Sequence, residues 1–365
     1  MKLNPGIPFQ RRHRGHSLLV GKKATYKLLL SIAFIALVVY MATRLTTKND
    51  NIEKLSQEAS LVIDCALLPK SSPYLKPENI VHVVQAEHPF HMSVHDTKME
   101  IISRSIKKSG CFECPILNSL LNALKKSPHA SLIDIGGNIG MYSLYAASYG
   151  RNAVTFEPMK VNQEKICQSI LNNAHFQDRI TLIGAAATSD SSTSKYVNFN
   201  TQGFKKYLKK RGDLNYGSGA VREIVSENNV PPPGDRGVDY AYSLTVNSLQ
   251  GTKYVPQPGS HIVLKVDVEG FECKALLGSL NYLSVLKIDY AAVEFGYVRM
   301  QECHQDGGAL KKIFDLFASN GLELYLFDNN EWIKVDPVDW WSWARPRSAG
   351  LFDTAWSKGI PTFSL

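Results

Sequence analysis

Two carboxylates follow an apolar, β-branched run in the segment LKVDVEGFE, residues 264–272. Asp267 and Glu269 stand at alternate positions, and side chains at alternate positions of a strand share one face. Gly270 then favours a turn into a helix. A carboxylate at such a strand end is a candidate general base for deprotonating a hydroxyl group. We expect Asp267 to be the first candidate for this base and Glu269 the second, with capping of the next helix as the alternative role of Glu269.

A glycine-rich segment, DIGGNIG at residues 134–140, follows the apolar run SLIDI. Glycines at a strand-to-helix turn let the backbone approach a nucleotide-like ligand closely. Glu157 ends the next apolar run, 20 residues past Gly137, and from there a carboxylate can accept both hydrogen bonds of a ribose diol. The sequence therefore predicts a cofactor site made by Asp134, Gly136, Gly137, Asn138, Gly140 and Glu157.

Two classes of cofactor use a glycine turn followed by an acid at the end of the next strand. A nicotinamide dinucleotide requires G-x-G-x-x-G, so that its pyrophosphate reaches the helix N-terminus, and here Asn138 replaces the second glycine. S-adenosyl-L-methionine has no phosphate, and its methionine end binds polar groups of the kind that Asp134, Gly136 and Asn138 provide. S-adenosyl-L-methionine is the favoured cofactor, and a nicotinamide-dependent oxidoreductase is the alternative.

A divalent metal is the less favoured addition to this site. Glu294 ends the run KIDYAAVEF, and an adjacent parallel strand would bring it towards Asp267. Three carboxylates, from Asp267, Glu269 and Glu294, could hold a hard cation at one edge of the sheet. We predict a site without a metal and keep this set as the alternative.

The elements that must position these residues alternate between short β-branched runs and helical patterns. This alternation is typical of a doubly wound α/β sheet with helices on both faces. Strands are predicted at residues 131–135, 152–157, 179–184, 261–267, 287–295 and 322–328. Helices are predicted at residues 141–149, 160–172, 271–283 and 309–320. A long irregular insertion, residues 188–240, separates the third strand from the fourth.

The segments DIGGNIG, FEP at residues 156–158, GAAATSD with Ala186, and LKVDVEGFE resemble the FkbM family of methyltransferases over roughly residues 100–327. The resemblance implies the class I methyltransferase (Rossmann-like) fold, seven strands with a final antiparallel hairpin, and adds Ala186 to the cofactor site. It also implies O-methylation of a hydroxyl on a carbohydrate or small-molecule acceptor. We expect this acceptor to be a glycan, a glycolipid or a related molecule of the secretory pathway. A non-catalytic binding protein with a degenerate methyltransferase body is the alternative from another class, disfavoured by the intact glycine turn, Glu157 and Asp267.

Charge is distributed unevenly along the 365 residues. Seven Lys and Arg residues, and no Asp or Glu, precede residue 28, so removing them from the net charge of +8 leaves +1. The remainder has no excess of positive charge for a polyanion, and we expect no nucleic-acid partner. The sequence leaves the oligomeric state open.

An uncharged apolar run at residues 28–43 follows the basic segment. Its length and its flanking charges predict a signal anchor with the body on the non-cytoplasmic side, that is, a single-pass type II protein of the Golgi or endoplasmic reticulum with a lumenal catalytic domain. The predicted organisation is a basic cytoplasmic tail (1–27), a transmembrane helix (28–43), a stem (44–95) and a methyltransferase domain with a Trp-rich C-terminal extension (96–365).

Cysteines and tryptophans add two open questions. The six cysteines are too few for a disulfide framework, and Cys111 with Cys114 is the first candidate pair in an oxidising compartment, with free thiols as the alternative.

All five tryptophans lie in the last 34 residues. They could form a platform for a sugar ring, and a packed flap over the sheet is the favoured interpretation.

Overall fold

A computed structural model describes residues 61–67, 79–189, 195–200, 221–226 and 238–362. The predicted tail and anchor, residues 1–43, lie outside the described residues, as do most of the stem and the residues between the strands of the insertion. One compact unit spans Ser60–Leu365.

The strands, in chain order, are β1 Ile80–Val83, β2 Phe90–Ser93, β3 Ser131–Ile135, β4 Ala153–Phe156, β5 Ile180–Ile183, β6 Ala186–Ala187, β7 Lys195–Asn200, β8 Val221–Ser226, β9 Val238–Leu244, β10 His261–Val266, β11 Lys287–Gly296, β12 Glu323–Asp328, β13 Glu331–Lys334 and β14 Leu351–Ser357. The α-helices are α1 Ile101–Ser109, α2 Cys114–Lys126, α3 Met141–Ser148, α4 Lys160–Leu171, α5 Glu272–Leu277, α6 Leu280–Leu283, α7 Tyr297–Gln305, α8 Ala309–Ser319 and α9 Trp340–Ala344.

A mixed eight-stranded sheet is the centre of the fold, in the order β13-β12-β14-β11-β10-β3-β4-β5. The five strands from β11 to β5 are parallel, and β14 pairs antiparallel with both β11 and β12. The chain winds from β3 towards β5 on one side and from β10 towards β11 on the other. The topological switch point therefore lies between β3 and β10, where doubly wound sheets bind their ligands beyond the carboxyl ends of the strands.

This order confirms the predicted Rossmann-like methyltransferase fold and the strands assigned from the sequence. The predicted antiparallel ending is present, but its last strand, β14, lies inside the sheet between β11 and β12, and β13 adds an eighth strand at the edge. Four of the tryptophans are buried in this region, Trp332, Trp340, Trp343 and Trp356, while Trp341 is 39% exposed. The tryptophans therefore belong mainly to the core, as the flap interpretation predicts.

Alternating side chains of the central strands supply two cores, one on each face of the sheet. Ile133, Leu264 and Val293 pack on the face covered by α5, α6 and α8. Leu132, Val263 and Tyr290 pack on the opposite face, beneath α2 and α3. Because successive residues of a strand point to opposite faces, the polar residues Asp134 and Lys265 extend into the α2 face, beside the second core.

Two regions contain more structure than the sequence predicts. The antiparallel hairpin of β1 and β2 lies within the predicted stem, and Phe90 and Met92 are 1% and 0% exposed. Residues 80–93 are thus part of the folded unit. The insertion is not wholly irregular, because β7, β8 and β9 form a small sheet with β6 in the order β6-β9-β7-β8.

The predicted localisation requires a correction. No helix among the described residues is both long and apolar enough to cross a membrane. This finding contradicts the prediction of a single-pass type II membrane protein, which we withdraw. The apolar run at residues 28–43 that suggested it lies outside the described residues.

All six cysteines form disulfides: Cys65–Cys167, Cys111–Cys114 and Cys273–Cys303. The pair proposed from the sequence is present. The other two pairs join residues 102 and 30 positions apart, and sequence spacing does not reveal such long-range pairs.

Candidate active site

The glycine turn after β3 is packed tightly against the loop after β10. Gly136 has φ 90°, and a Cβ atom there would lie 1.7 Å from the carbonyl oxygen of Asp267. A Cβ on Gly137 would lie 2.2 Å from Thr155 Cγ2. Asn138 adopts φ 50°, a left-handed conformation that asparagine tolerates better than most residues. The turn thus needs two glycines for close approach, and it fixes the backbone of Asp267.

Glu157 lies at the carboxyl end of β4 and is only 4% exposed. Its carboxylate accepts hydrogen bonds from the backbone N–H groups of Asn138 and Met159, both at 2.8 Å, and from the Asn162 side chain at 3.3 Å. Burial raises the pKa of Glu157 to about 8, against the opposing effect of these hydrogen bonds. Glu157, the residue predicted to bind the ribose, therefore also holds the glycine turn in place.

Asp134 and Gly140, both predicted to bind the cofactor, lie behind the turn rather than on the cavity wall. Asp134 is fully buried and accepts a 2.7 Å hydrogen bond from Ser143 Oγ. Burial raises its pKa to about 6. Gly140 begins α3 with φ 83°. The geometry gives these two residues a supporting position under the turn.

The loop after β10 differs from the predicted strand end. Because β10 ends at Val266, Asp267 and Glu269 lie beyond the strand, and Glu269 is in a left-handed conformation with φ 55°. The N-cap position of α5, Phe271, makes no side-chain cap hydrogen bond, so the helix-capping role considered for Glu269 is not seen. Glu272, the first residue of α5, instead holds the loop itself, because its Oε1 accepts the N–H groups of Val268 and Gly270 at 3.1 and 2.9 Å. Burial, followed by the charge of Asp267, raises the pKa of Glu269 to about 8.

Lys265 is the basic residue at the centre of this region, and it is 1% exposed. Its Nζ donates to Asp267 Oδ2 at 3.1 Å and lies 5.3 Å from the centre of the Tyr142 ring. Burial lowers the pKa of Lys265, but the surrounding negative groups, Asp267 first, raise it well above its usual value. Lys265 therefore stays charged and orients the Asp267 carboxylate.

Three further acids surround Lys265 from separate parts of the chain. Glu294, in β11, is the register partner of Asp353 in β14. Glu113 immediately precedes α2 in a left-handed conformation with φ 50°. Burial, and then the Asp353 charge, raises the pKa of Glu113 to about 7. The pKa values of Glu294 and Asp353 are also raised, first by burial. Sequence reasoning missed Glu113 and Asp353, because no local motif contains them. Glu272 closes the segment LKVDVEGFE, but the sequence analysis gave it no role.

One cavity at the switch point joins the predicted residues of both motifs. Its wall includes Gly136, Gly137, Asn138, Glu157, Ala186, Asp267, Glu269 and Glu294. Glu113, Tyr142 and Met159 also line it. Among the described residues that form the wall there is no lysine, arginine or histidine. The cavity therefore combines a nucleoside-type turn with a strongly acidic mouth.

The carboxylates of Asp267, Glu272 and Glu294 form a close trio beside the cavity. One oxygen from each lies within 4.8 Å of the other two. This trio differs from the alternative metal set predicted from the sequence, since Glu272 takes the place of Glu269.

No protein-family model and no curated protein sequence matches this chain. Several solved structures are similar at low identity. A methyltransferase FkbM from Methylobacillus flagellatus KT is 14% identical over 62% of this chain, with a TM-score of 0.34, and the match spans only 43% of that protein. The N-terminal domain of human METTL16 in complex with SAH is 11% identical over 67% of this chain and 70% of that one, with a TM-score of 0.30. A putative O-methyltransferase from Klebsiella pneumoniae is 10% identical over 67% of this chain and 80% of that one, with a TM-score of 0.31. Similarity at this level does not assign an activity.

Proposed function

We propose that this chain is an S-adenosyl-L-methionine-dependent O-methyltransferase of the FkbM type. The observation that carries the proposal is the cavity at the switch point, in which the glycine turn and Glu157 face an acidic mouth without a basic side chain among its described wall residues. A ribose diol fits beside Glu157. A positively charged sulfonium fits the acidic mouth, because unlike charges attract more strongly where water is partly excluded and a bound cation favours the ionised form of the neighbouring acids.

The same electrostatics disfavour the nicotinamide alternative. A pyrophosphate would bring two negative charges towards Glu157 and Asp267, and no described lysine or arginine on the cavity wall would compensate them. Asn138 also adds a side chain where a dinucleotide-binding turn has its second glycine. The acidic mouth likewise supports the expectation that the acceptor is not a nucleic acid, since a phosphodiester backbone would be repelled.

The chemistry proposed is transfer of a methyl group to a hydroxyl oxygen of a carbohydrate or small-molecule acceptor. When bound, S-adenosyl-L-methionine supplies a methyl group on a sulfonium sulfur, and the carbon–sulfur bond breaks as the carbon–oxygen bond forms. Asp267 is the first candidate to accept the hydroxyl proton, with Glu269 second. Lys265 positions the Asp267 carboxylate through the 3.1 Å contact.

Calorimetry of the full chain with adenosylhomocysteine, S-adenosyl-L-methionine and NADH tests the cofactor assignment. Adenosylhomocysteine should bind, and at 100 times its dissociation constant it should stabilise the protein by about 2.7 kcal/mol. NADH should do neither. Binding of NADH alone would overturn the proposal, and binding of adenosylhomocysteine without consumption of S-adenosyl-L-methionine across an acceptor panel would favour the non-catalytic alternative.

A variant pair makes the same measurement specific to the site. Glu157→Ala should weaken adenosylhomocysteine binding by about 1.5 to 3 kcal/mol, the range for a hydrogen bond to a charged group. Glu302→Ala removes an exposed carboxylate on α7 that pairs only with Arg299 among the described contacts, and it should leave the affinity unchanged. Equal affinities in the two variants would place the ribose elsewhere.

A further inference from the structure

A fully buried carboxylate oxygen without a partner lies beside the proposed methyl-transfer site. Glu272 is 0% exposed, and its Oε1 accepts the backbone N–H groups of Val268 and Gly270. Its Oε2 has no hydrogen-bond partner among the described residues. A buried carboxylate oxygen normally has a donor or a cation beside it. The two backbone donors fix the orientation of the carboxylate, so the free oxygen is held in a defined position.

Glu294 has a second oxygen of this kind on the neighbouring strand. Its Oε2 is also buried and has no hydrogen-bond partner in the described part of the chain. Asp267 completes the trio, with one ligand atom from each residue within 4.8 Å of the others. Oxygens on opposite sides of a cation are about 4.0 to 4.2 Å apart for Mg²⁺ and about 4.6 to 5.2 Å apart for Ca²⁺, so the three carboxylates fit around one such ion.

Among the described ion pairs, positive charge from the protein reaches only one member of this trio. Lys265 is fully buried and donates to Asp267 Oδ2, and among the described residues no ion pair reaches Glu272 or Glu294. Arg299, whose side chain lies next to Gly270, bonds to Glu302 instead. Three carboxylates this close repel one another unless protons or a cation neutralise them.

A covalent link fixes the two elements that carry the buried oxygens. Glu272 is the first residue of α5, and the adjacent Cys273 is bonded to Cys303 of α7. The helix α7 begins directly after β11, the strand that contains Glu294. The disulfide therefore limits how far Glu272 and Glu294 can move apart, as a preformed ion site requires.

From these contacts we propose that Asp267, Glu272 and Glu294 bind one hard divalent cation at the rim of the cavity. A ligand set made only of carboxylate oxygens suits Mg²⁺, Mn²⁺ or Ca²⁺ rather than a soft metal. Its role rests on the proposed function: the cation would bind the acceptor oxygen and favour the loss of its proton. With Asp267 occupied as a ligand, Glu269 becomes the acceptor of that proton.

Titration of the full chain with Mn²⁺, followed by electron paramagnetic resonance and calorimetry, tests the site without any acceptor. We expect one Mn²⁺ per chain. Glu272→Gln retains an oxygen for the two backbone donors and should weaken Mn²⁺ binding at least about tenfold, since even groups outside a ligand set contribute that much. Glu294→Gln should have a similar effect. Glu331→Gln, at an exposed acid on β13, is the control and should bind Mn²⁺ as the wild type does. Glu269→Gln, a neighbouring cavity acid outside the trio, should weaken Mn²⁺ binding less than Glu272→Gln does.

Binding of adenosylhomocysteine in the presence of a chelator separates this proposal from the proposed function. If the wild-type protein binds adenosylhomocysteine but takes up no Mn²⁺, the cation site is overturned and the proposed function is not. Unchanged Mn²⁺ affinity in both Glu272→Gln and Glu294→Gln would overturn the cation site in the same way. Circular dichroism checks that the variants are folded. Loss of Mn²⁺ binding in Glu269→Gln with retention in Glu272→Gln would restore the ligand set expected from the sequence.

Discussion

At the scale of single residues, Gly136 connects the two motifs of the site. Its absent side chain leaves room for the carbonyl oxygen of Asp267, which would be 1.7 Å from a Cβ. The cofactor turn and the candidate base are therefore held by one contact between backbones. A substitution at this position should disturb both, even though Gly136 has no functional group of its own.

We expect Gly136→Ala to lower adenosylhomocysteine affinity by more than about tenfold. The alanine side chain would collide with the loop after β10, so the turn and this loop must separate to make room for it. Gly150→Ala is the matched control. Gly150 also has a positive φ, 74°, but nothing lies within 4 Å of its Cβ position, so this variant should cost only about 1 to 2 kcal/mol of stability. Calorimetry and thermal unfolding of both variants make the comparison. Equal cofactor affinities would show that the contact is not required.

Asp267 is the residue on which both candidate mechanisms depend. Asp267→Asn should keep adenosylhomocysteine affinity close to that of the wild type while lowering turnover by about a hundredfold to ten-thousandfold, the usual contribution of positioned proton transfer. Turnover is measured as adenosylhomocysteine formed at saturating acceptor. Asp315→Asn, at an exposed ion pair with Lys311 on α8, is the control. Near-normal turnover in Asp267→Asn would exclude Asp267 both as the base and as a required cation ligand, and would leave Glu269 as the candidate base in this loop.

Residues within contiguous motifs could be predicted, and residues brought in by tertiary contacts could not. The spacing from Gly137 to Glu157 follows from one strand and one turn, so a single sequence contains it. Glu113 reaches the cavity from the start of α2, and Asp353 from a strand 86 positions beyond Asp267. Only the antiparallel insertion of β14 next to β11 makes Asp353 the neighbour of Glu294. No local periodicity reports that pairing.

At the scale of elements, strands with strong apolar runs were predicted within one or two residues, because burial on both faces demands continuous apolar sequence. The prediction for the loop after β10 was wrong in detail. Alternation in Lys265, Asp267 and Glu269 suggests one strand face, but the approach of Gly136 ends the strand at Val266. The β1–β2 hairpin was missed because two four-residue strands have too little periodicity to stand out.

The turn before α2 is an element whose function should depend on its disulfide. Cys111–Cys114 encloses Phe112 and Glu113, which both line the cavity. A loop this short constrains the unfolded chain less than a long loop does. Cys111→Ser combined with Cys114→Ser should therefore lower adenosylhomocysteine affinity several-fold while reducing the free energy of unfolding by only about 2 kcal/mol in the chain-entropy description.

The Cys65–Cys167 pair provides the opposite case, because it joins residues 102 positions apart. Its removal by serine substitutions should reduce the free energy of unfolding by about 4 to 5 kcal/mol in the chain-entropy description. Adenosylhomocysteine affinity at a temperature where the variant is folded should not change. Denaturant titration and calorimetry measure both quantities. If removing Cys111–Cys114 and removing Cys65–Cys167 changed the adenosylhomocysteine affinity by the same factor, the disulfide in the turn before α2 would not be specifically required for the shape of the cavity.

At the scale of the whole molecule, the excess of buried acid in the cavity and behind its glycine turn should control how stability depends on pH. Burial raises the pKa of Glu157 to about 8, of Glu113 to about 7 and of Asp134 to about 6. In the unfolded chain these groups titrate near pH 4. Between those values the folded chain binds more protons than the unfolded chain, so the free energy of unfolding must fall as the pH rises.

We therefore expect the ligand-free protein to lose stability steadily from about pH 4 up to about pH 8, the direction opposite to that of a protein whose acids form ion pairs. Urea unfolding at intervals of half a pH unit measures this slope. Glu157→Gln removes the group with the highest of the three pKa values, so the slope between pH 6 and 8 should become shallower. Glu331→Gln, an exposed acid on β13, is the control and should leave the slope unchanged. A free energy of unfolding that rises from pH 5 to pH 8 in the ligand-free wild type would mean that these carboxyl groups are ionised in the folded protein, and that positive charge reaches the cavity from a source other than Lys265.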